Sequence, residues 1–170
     1  MRIGVVSDSH DDSGRLAAAV KMARGWGAQA ILHCGDIIGP NTLNAALAIG
    51  LPVHAVHGNN LGDLPRMVRA SVESGGALTY YGGDGAFELG GRRLFMIHYP
   101  HLARGMAATG DYDVVFCGHS HEAAIEMTAN ARGGRTPLVN PGTVAGLGAP
   151  ATFVLGDLAD LSFEVRRLEG

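Results

Sequence analysis

Over the first 57 positions, short apolar blocks alternate with amphipathic stretches, and each apolar block ends in polar residues. Residues 2–7, Arg-Ile-Gly-Val-Val-Ser, read as a buried strand. A helix is expected over 14–25, capped by Ser13, with Leu16, Val20 and Ala23 on one face and Gly25 near its end. Residues 30–34 read as a second strand, a helix over 41–49 follows Pro40 and closes at Gly50, and 52–56 make a third strand. This alternation implies a parallel sheet covered by helices. Ligands of such a sheet sit beyond the carboxyl ends of its strands.

The second half has a different rhythm. Short strands are expected at 78–81, 86–89, 92–98, 114–117, 124–128 and 136–139, then a hairpin over 151–156 and 161–167. A helix over 101–109 interrupts them. The pattern suggests a mixed or antiparallel sheet joined to the parallel one. Gly82-Gly83 and Gly133-Gly134 read as hairpin turns. With no linker, repeat or low-complexity stretch, residues 1–170 are expected to form a single domain.

Composition narrows the function classes. The chain has 170 residues, 46% of them hydrophobic and 17% charged, which suits a sizeable core and argues against disorder. Net charge is −3 with no basic run, so a general nucleic-acid or membrane-surface binder is disfavoured. A small substrate bearing phosphate remains compatible. The two cysteines, Cys34 and Cys117, rule out a disulfide framework and argue against a cysteine zinc site. No leader is visible, and no apolar run approaches the roughly 18 residues that span a bilayer. The expected location is the cytoplasm.

The excess of histidine, eight residues, turns out to be ordered. Ser7-Asp8-Ser9-His10 follows the first strand, Gly35-Asp36 the second and Gly58-Asn59-Asn60 the third. His98-Tyr99-Pro100-His101 and Gly118-His119-Ser120-His121 follow two later strands. Taken singly, each piece also reads as a turn, a helix cap or a packed histidine. Together they would deliver Asp, Asn and His side chains to one crevice, and that mixture suits divalent metals of hard to borderline character.

The ordered set Asp-x-His, Gly-Asp, Gly-Asn, His, Gly-His-x-His resembles the calcineurin-like metallophosphoesterase superfamily. With the ending Asn140-Pro141-Gly142-Thr143, the chain is similar to that superfamily's small single-domain bacterial and archaeal phosphodiesterases. The resemblance implies an α/β fold, a four-layer αββα sandwich of two mixed sheets flanked by helices. It implies two divalent metal ions per chain. Asp8, His10 and His121 would hold the first, Asn59, His98 and His119 the second, and Asp36 would bridge them. Manganese heads the expected metals, with iron, zinc or nickel as alternatives that these ligand types do not separate. A hydroxide shared by the two metals would attack phosphorus, with the metals neutralising charge on the phosphoryl oxygens. A homo-oligomer is also compatible with the resemblance.

Several positions depart from the superfamily's pattern. Asn60 stands where many members carry a histidine that protonates the leaving group. Its amide can hydrogen-bond a phosphate oxygen but cannot supply a proton at neutral pH. It is therefore taken as a catalytic contact in an enzyme for diesters with good leaving groups. Asp63 is a candidate for the acidic residue that usually follows. Tyr99 replaces a glycine and either stacks on an aromatic leaving group or packs on the following helix. His101 reads as a surface histidine at a helix start, with the missing acid as the alternative. His33 and His54 read as packed groups, His57 and Asn140 as supports of the site. Two other classes stay open: a phosphomonoesterase or nucleotide phosphatase on the same site, and a non-catalytic scaffold resembling a retromer subunit.

Overall fold

A computed structural model describes residues 1–169. The first half forms as its pattern predicts. Strand β1 (Arg2–Val6) leads into helix α1 (Ser13–Trp26), then β2 (Ala30–His33), α2 (Pro40–Leu47) and β3 (Val53–Ala55). The cap of α1 is Asp12 rather than Ser13: its carboxylate accepts from the Arg15 amide at 2.8 Å. An aspartate cap also favours the positive end of the helix dipole.

Helix α3 (Leu64–Glu73) fills a stretch to which the sequence reading assigns no helix or strand, and β4 (Leu78–Tyr80) follows it. Then come β5 (Asp84–Leu89), β6 (Arg92–Ile97), α4 (Pro100–Thr109), β7 (Val114–Phe116), β8 (Ala123–Ala129), β9 (Arg135–Pro141), β10 (Thr152–Asp157) and β11 (Ser162–Arg167).

The strands make two mixed sheets, ordered β11-β10-β1-β2-β3-β4 and β5-β6-β7-β9-β8. In the first, β1 to β4 are mutually parallel, so β4 extends the parallel sheet instead of joining the later strands. Gly82-Gly83 is accordingly not a hairpin turn: the chain there crosses from one sheet to the other. Gly133-Gly134 does close a hairpin, between β8 and β9, as do residues between β10 and β11.

Alternation along the strands divides the apolar residues among layers. Ile3, Val5, Ala30 and Leu32 face Leu94, Met96 and Phe116 between the two sheets. Val6, Ile31, Val53 and Ala55 face outward to Leu16, Val20, Leu43 and Met67 of the first three helices. Phe95, Val115 and Leu138 pack on Ala103 and Ala107 of α4. The result is helix, sheet, sheet, helix: the αββα sandwich. Among the described residues no helix is long and apolar enough to cross a membrane.

Candidate metal centre

The carboxyl ends of β1, β2, β3, β6 and β7 meet at one rim of the sandwich, and the seven proposed ligands all stand there. Backbone hydrogen bonds tie the turns together. Asp8 N donates to Gly35 O at 3.0 Å, His10 N to Asp36 O at 2.8 Å, and Gly118 N to His98 O at 2.9 Å. Five of the seven ligand residues have left-handed backbone: Asp8 (φ 52°), His10 (46°), Asp36 (54°), His119 (70°) and His121 (61°). Such conformations are costly for residues with a side chain and persist only where surrounding contacts hold them.

Two of the motif glycines serve a purpose other than turning. Gly58 and Gly118 do not have positive φ. A methyl group on Gly58 would lie 2.1 Å from Asp36 Oδ1 and 2.7 Å from His98 Nε2. One on Gly118 would lie 1.9 Å from Ser7 Oγ and 2.8 Å from Asp8 Oδ2. These glycines are the space in which the carboxylates and the imidazole lie. Gly35, at φ +110°, does make the expected turn.

The polar atoms fall into two groups whose members lie within 4.8 Å of one another: Asp8, His10 and His121, and Asp8, Asp36 and His98. His121 Nε2 is 3.2 Å from Asp8 Oδ1. Asp36 reaches both groups, with Oδ1 3.4 Å from His98 Nε2 and Oδ2 3.9 Å from His10 Nε2. Asn59 Oδ1 joins the second group, 3.1 Å from His98 Nε2 and 2.8 Å from His119 Nδ1.

The imidazoles are oriented for donation. His98 Nδ1 lies 2.8 Å from the Cys34 carbonyl, and His121 Nδ1 lies 2.7 Å from the Leu147 carbonyl. A carbonyl only accepts, so each Nδ1 carries the proton and each Nε2 presents a lone pair to the centre. The His98 Nε2 and Asn59 Oδ1 lone pairs then face each other with no proton between them in the neutral imidazole.

Charge and burial point the same way. Asp8 Oδ1 and His10 Nε2 are buried and have no hydrogen-bond partner among the described residues. A buried unpaired carboxylate oxygen is expensive, and a cation would resolve that cost. Burial works to raise the Asp36 carboxyl, but the two Asn60 hydrogen bonds, with His98 and His10, outweigh it and hold the group below the usual carboxylate range. Two carboxylates with four imidazole nitrogens and one amide oxygen suit divalent ions. The residues present therefore fit a metal pair.

The structure places other residues differently from their sequence reading. Asn60 is occupied with Asp36: its backbone N–H donates to Oδ1 at 2.9 Å and its side-chain amide to Oδ2 at 2.5 Å. It holds the carboxylate, a contact the phosphate reading did not include. Asp63 is the N-cap of α3, accepting from Arg66 N at 3.0 Å, so it is a helix terminus and not a site acid. His101 is exposed. Asn140 pins the Gly118–His121 turn, donating to Gly118 O and Ser120 Oγ at 2.9 Å each. His57 bonds the Tyr80 hydroxyl at 2.5 Å. Cys34 and Cys117 are free and buried, and burial pushes the Cys117 thiol up to about 12, which makes it a poor nucleophile or redox sensor.

Sequence reasoning missed two supports. Ser9 and His33 form a buried pair at 2.9 Å beneath the first loop, and Thr143 Oγ1 donates to Asp8 O at 3.0 Å. The Ser-Asp-Ser-His run was a usable signal for the first, since its serines flank a ligand.

Comparisons with known proteins agree with this geometry. The family model of the calcineurin-like phosphoesterase superfamily domain matches residues 1–161. A phosphodiesterase of Methanocaldococcus jannaschii is 25% identical over 162 residues, covering 91% of this chain and 92% of that protein. The solved structure of an archaeal phosphodiesterase matches with a TM-score of 0.88 at 22% identity, over 99% of this chain and 100% of that one. Vps29 of Entamoeba histolytica, solved with zinc, matches with a TM-score of 0.63 at 16% identity, over 99% of this chain and 98% of that one. At these identities the two structural likenesses concern the fold.

Proposed function

The chain belongs to the calcineurin-like phosphoesterase superfamily, and from that premise we propose that it is a metal-dependent phosphodiesterase. In this reading Asp8, His10 and His121 hold one divalent ion, Asn59, His98 and His119 hold a second, and Asp36 joins them. The observation that carries it is the gathering of Asp8, His10, Asp36, His98 and His121 about the buried atoms Asp8 Oδ1 and His10 Nε2, which have no hydrogen-bond partner among the described residues, with Asn59 and His119 beside His98. The M. jannaschii relative, a phosphodiesterase, supports the substrate class.

Two divalent ions, when bound, supply a water acidified towards neutral pH and neutralise charge building on phosphoryl oxygens. The protein's own part is positional. The carbonyls of Cys34 and Leu147 hold His98 and His121 in the donating tautomer. Asn60 keeps Asp36 ionised and aimed between the two groups. An amide at position 60 has no proton to give a departing oxygen at neutral pH. Leaving groups that depart readily as anions are therefore favoured, and the substrate is a small diester with one acidic alcohol or phenol.

The test is a phosphoester panel on metal-stripped protein reconstituted separately with manganese, iron, zinc and nickel. Turnover of an aryl diester, with metal content near two ions per chain, is expected. Faster turnover of simple alkyl monophosphates would overturn the diesterase reading in favour of a monoesterase. A protein that binds no metal and hydrolyses nothing after reconstitution would be a scaffold.

A further inference from the structure

Tyr99 stands among three imidazoles of the rim. Its ring centroid lies 5.4 Å from that of His98 and 5.3 Å from that of His119, with interplanar angles of 73° and 63°. His101 lies 6.0 Å away, tilted at 50°. The backbone fixes this placement. Pro100 follows, and the residue before a proline is confined to extended backbone. Tyr99 has φ −87° and ψ 121°, and its carbonyl accepts from Ala103 N at 3.0 Å in the first turn of α4.

Packing alone does not account for the ring. His98 is already oriented by the Cys34 carbonyl, and His119 Nδ1 already faces Asn59. The ring is half-buried, edged against two candidate ligands, with exposed His101 of the first turn of α4 beside it. Among the described residues no side chain or backbone group bonds its hydroxyl, whereas a phenol buried for structure usually has such a partner. A phosphate bound at His98 and His119 would have this ring beside its ester arms.

We infer that Tyr99 is a specificity-determining residue whose ring packs against a planar aromatic arm of the substrate, with the His101 imidazole lining the same opening. The inference rests on the phosphodiesterase reading and adds the class of the ester arm. An aromatic pair brings roughly a two- to ten-fold gain in binding, which an alkyl arm cannot draw on.

The experiment compares two p-nitrophenyl diesters that share a leaving group and differ only in the other arm, phenyl or methyl. Manganese-reconstituted wild type, Tyr99→Phe and Tyr99→Leu are assayed, and metal content is measured in each. Affinities for phenylphosphonate and methylphosphonate are measured by calorimetry on the same proteins. Wild type and Tyr99→Phe should prefer the phenyl arm. Tyr99→Leu should lose that preference through KM, and should lose the matching difference in phosphonate affinity. Equal losses on both arms, or a Tyr99→Phe variant as impaired as Tyr99→Leu, would overturn the inference. Wild type without a preference would overturn it while leaving the diesterase reading intact. If wild type hydrolyses neither diester, the diesterase reading fails, and the phosphonate affinities alone decide the role of the ring.

Discussion

The candidate centre has a buried side and an open side, built by different means. Asp8, Asp36 and His98 are 0%, 2% and 0% exposed. They sit at the ends of β1, β2 and β6, and backbone groups or buried partners engage each of them: His119 N on Asp8, Asn60 N on Asp36, the Cys34 carbonyl on His98. His10, Asn59, His119 and His121 are half-buried or exposed and stand on the turns. The buried side is preset by the fold, because moving any member would disturb packed strand ends. The open side completes the candidate donor set where ions and substrate would arrive. Left-handed backbone occurs on both sides, so the strain is held by the inter-turn hydrogen bonds rather than by burial alone.

The difference predicts that loss of the shared buried carboxylate damages both ion positions, while loss of an open-side donor damages one. Asp36→Asn should give the largest effect. It removes a charge that faces both groups and places an amide against the Asn60 donors. Metal content should fall at both positions, and activity should fall by more than the roughly 10–100-fold that loss of an outer partner costs. His121→Ala should leave about half the metal. Full activity in Asp36→Asn would break the assignment of the shared ligand.

Gly58→Ala tests the same side through space instead of charge. The added methyl would meet Asp36 Oδ1 at 2.1 Å and His98 Nε2 at 2.7 Å. Neither neighbour is free to move, so a loss of about 1–3 kcal/mol in stability is expected, together with most of the metal. Gly25→Ala is the control, since a methyl there meets nothing within 4 Å inside α1. Thermal melts and metal analysis of both variants check the contrast. A Gly58→Ala protein that melts and loads metal like wild type would show that the buried side is softer than its packing implies.

The two sides also differ in how far they could be read from the chain. The gathering of the candidate ligands at one rim was legible because their residue types recur just after apolar blocks, and parallel strands bring such positions to one edge. Their supports were less so. The carbonyls of Cys34 and Leu147 orient two imidazoles, yet every residue has a carbonyl, so nothing in the side-chain pattern marks them. The role of Gly58 was misread for a related reason: a turn and a close approach both call for glycine, and only the position of Asp36 distinguishes them. Helix α3 carries a readable pattern that a strand-by-strand reading passes over: Leu64, Met67, Val68 and Val72 stand at helical spacing i, i+3, i+4, i+8. Met67 is buried, but Val68 and Val72 are 52% and 79% exposed. Its start was written in Asp63, which reads as a site residue, and in Pro65 of its first turn. Gly82-Gly83 misled because a crossover between sheets needs the same freedom as a hairpin.

Asn60 sits between the two sides, an exposed residue whose amide engages buried Asp36. Asn60→Ala should weaken metal binding by roughly 10–100-fold, the cost of an outer partner, and raise the Asp36 carboxyl. Metal titrations against pH would show the apparent affinity collapsing at a higher pH than in wild type. Asn60→His, with metals retained, should gain activity on poor leaving groups. An unchanged titration in Asn60→Ala would mean that Asp36 is held by its surroundings without the amide.

The smallest effect concerns His33, buried beneath the first loop. Its Nδ1 accepts from Gly35 N at 3.3 Å, so Nε2 carries the proton and donates to Ser9 Oγ at 2.9 Å. Burial, reinforced by His98, pushes the imidazole down to about 3. The unfolded chain takes up this proton near pH 6.5 and the folded chain does not. Folding is therefore favoured above that pH, and stability falls as pH drops from about 6.5 towards 3. Between pH 7 and pH 5 this single group is worth about 2 kcal/mol, or about 4–8 °C in Tm for a chain of this size. Melting metal-free wild type and His33→Gln at both pH values isolates the group, because every other side chain is common to the two proteins. The variant should melt lower at pH 7 but lose less on acidification. An equal acid loss in both would show that His33 accepts a proton inside the fold, and the buried side would then be less dry than the exposures of Asp8 and His98 indicate.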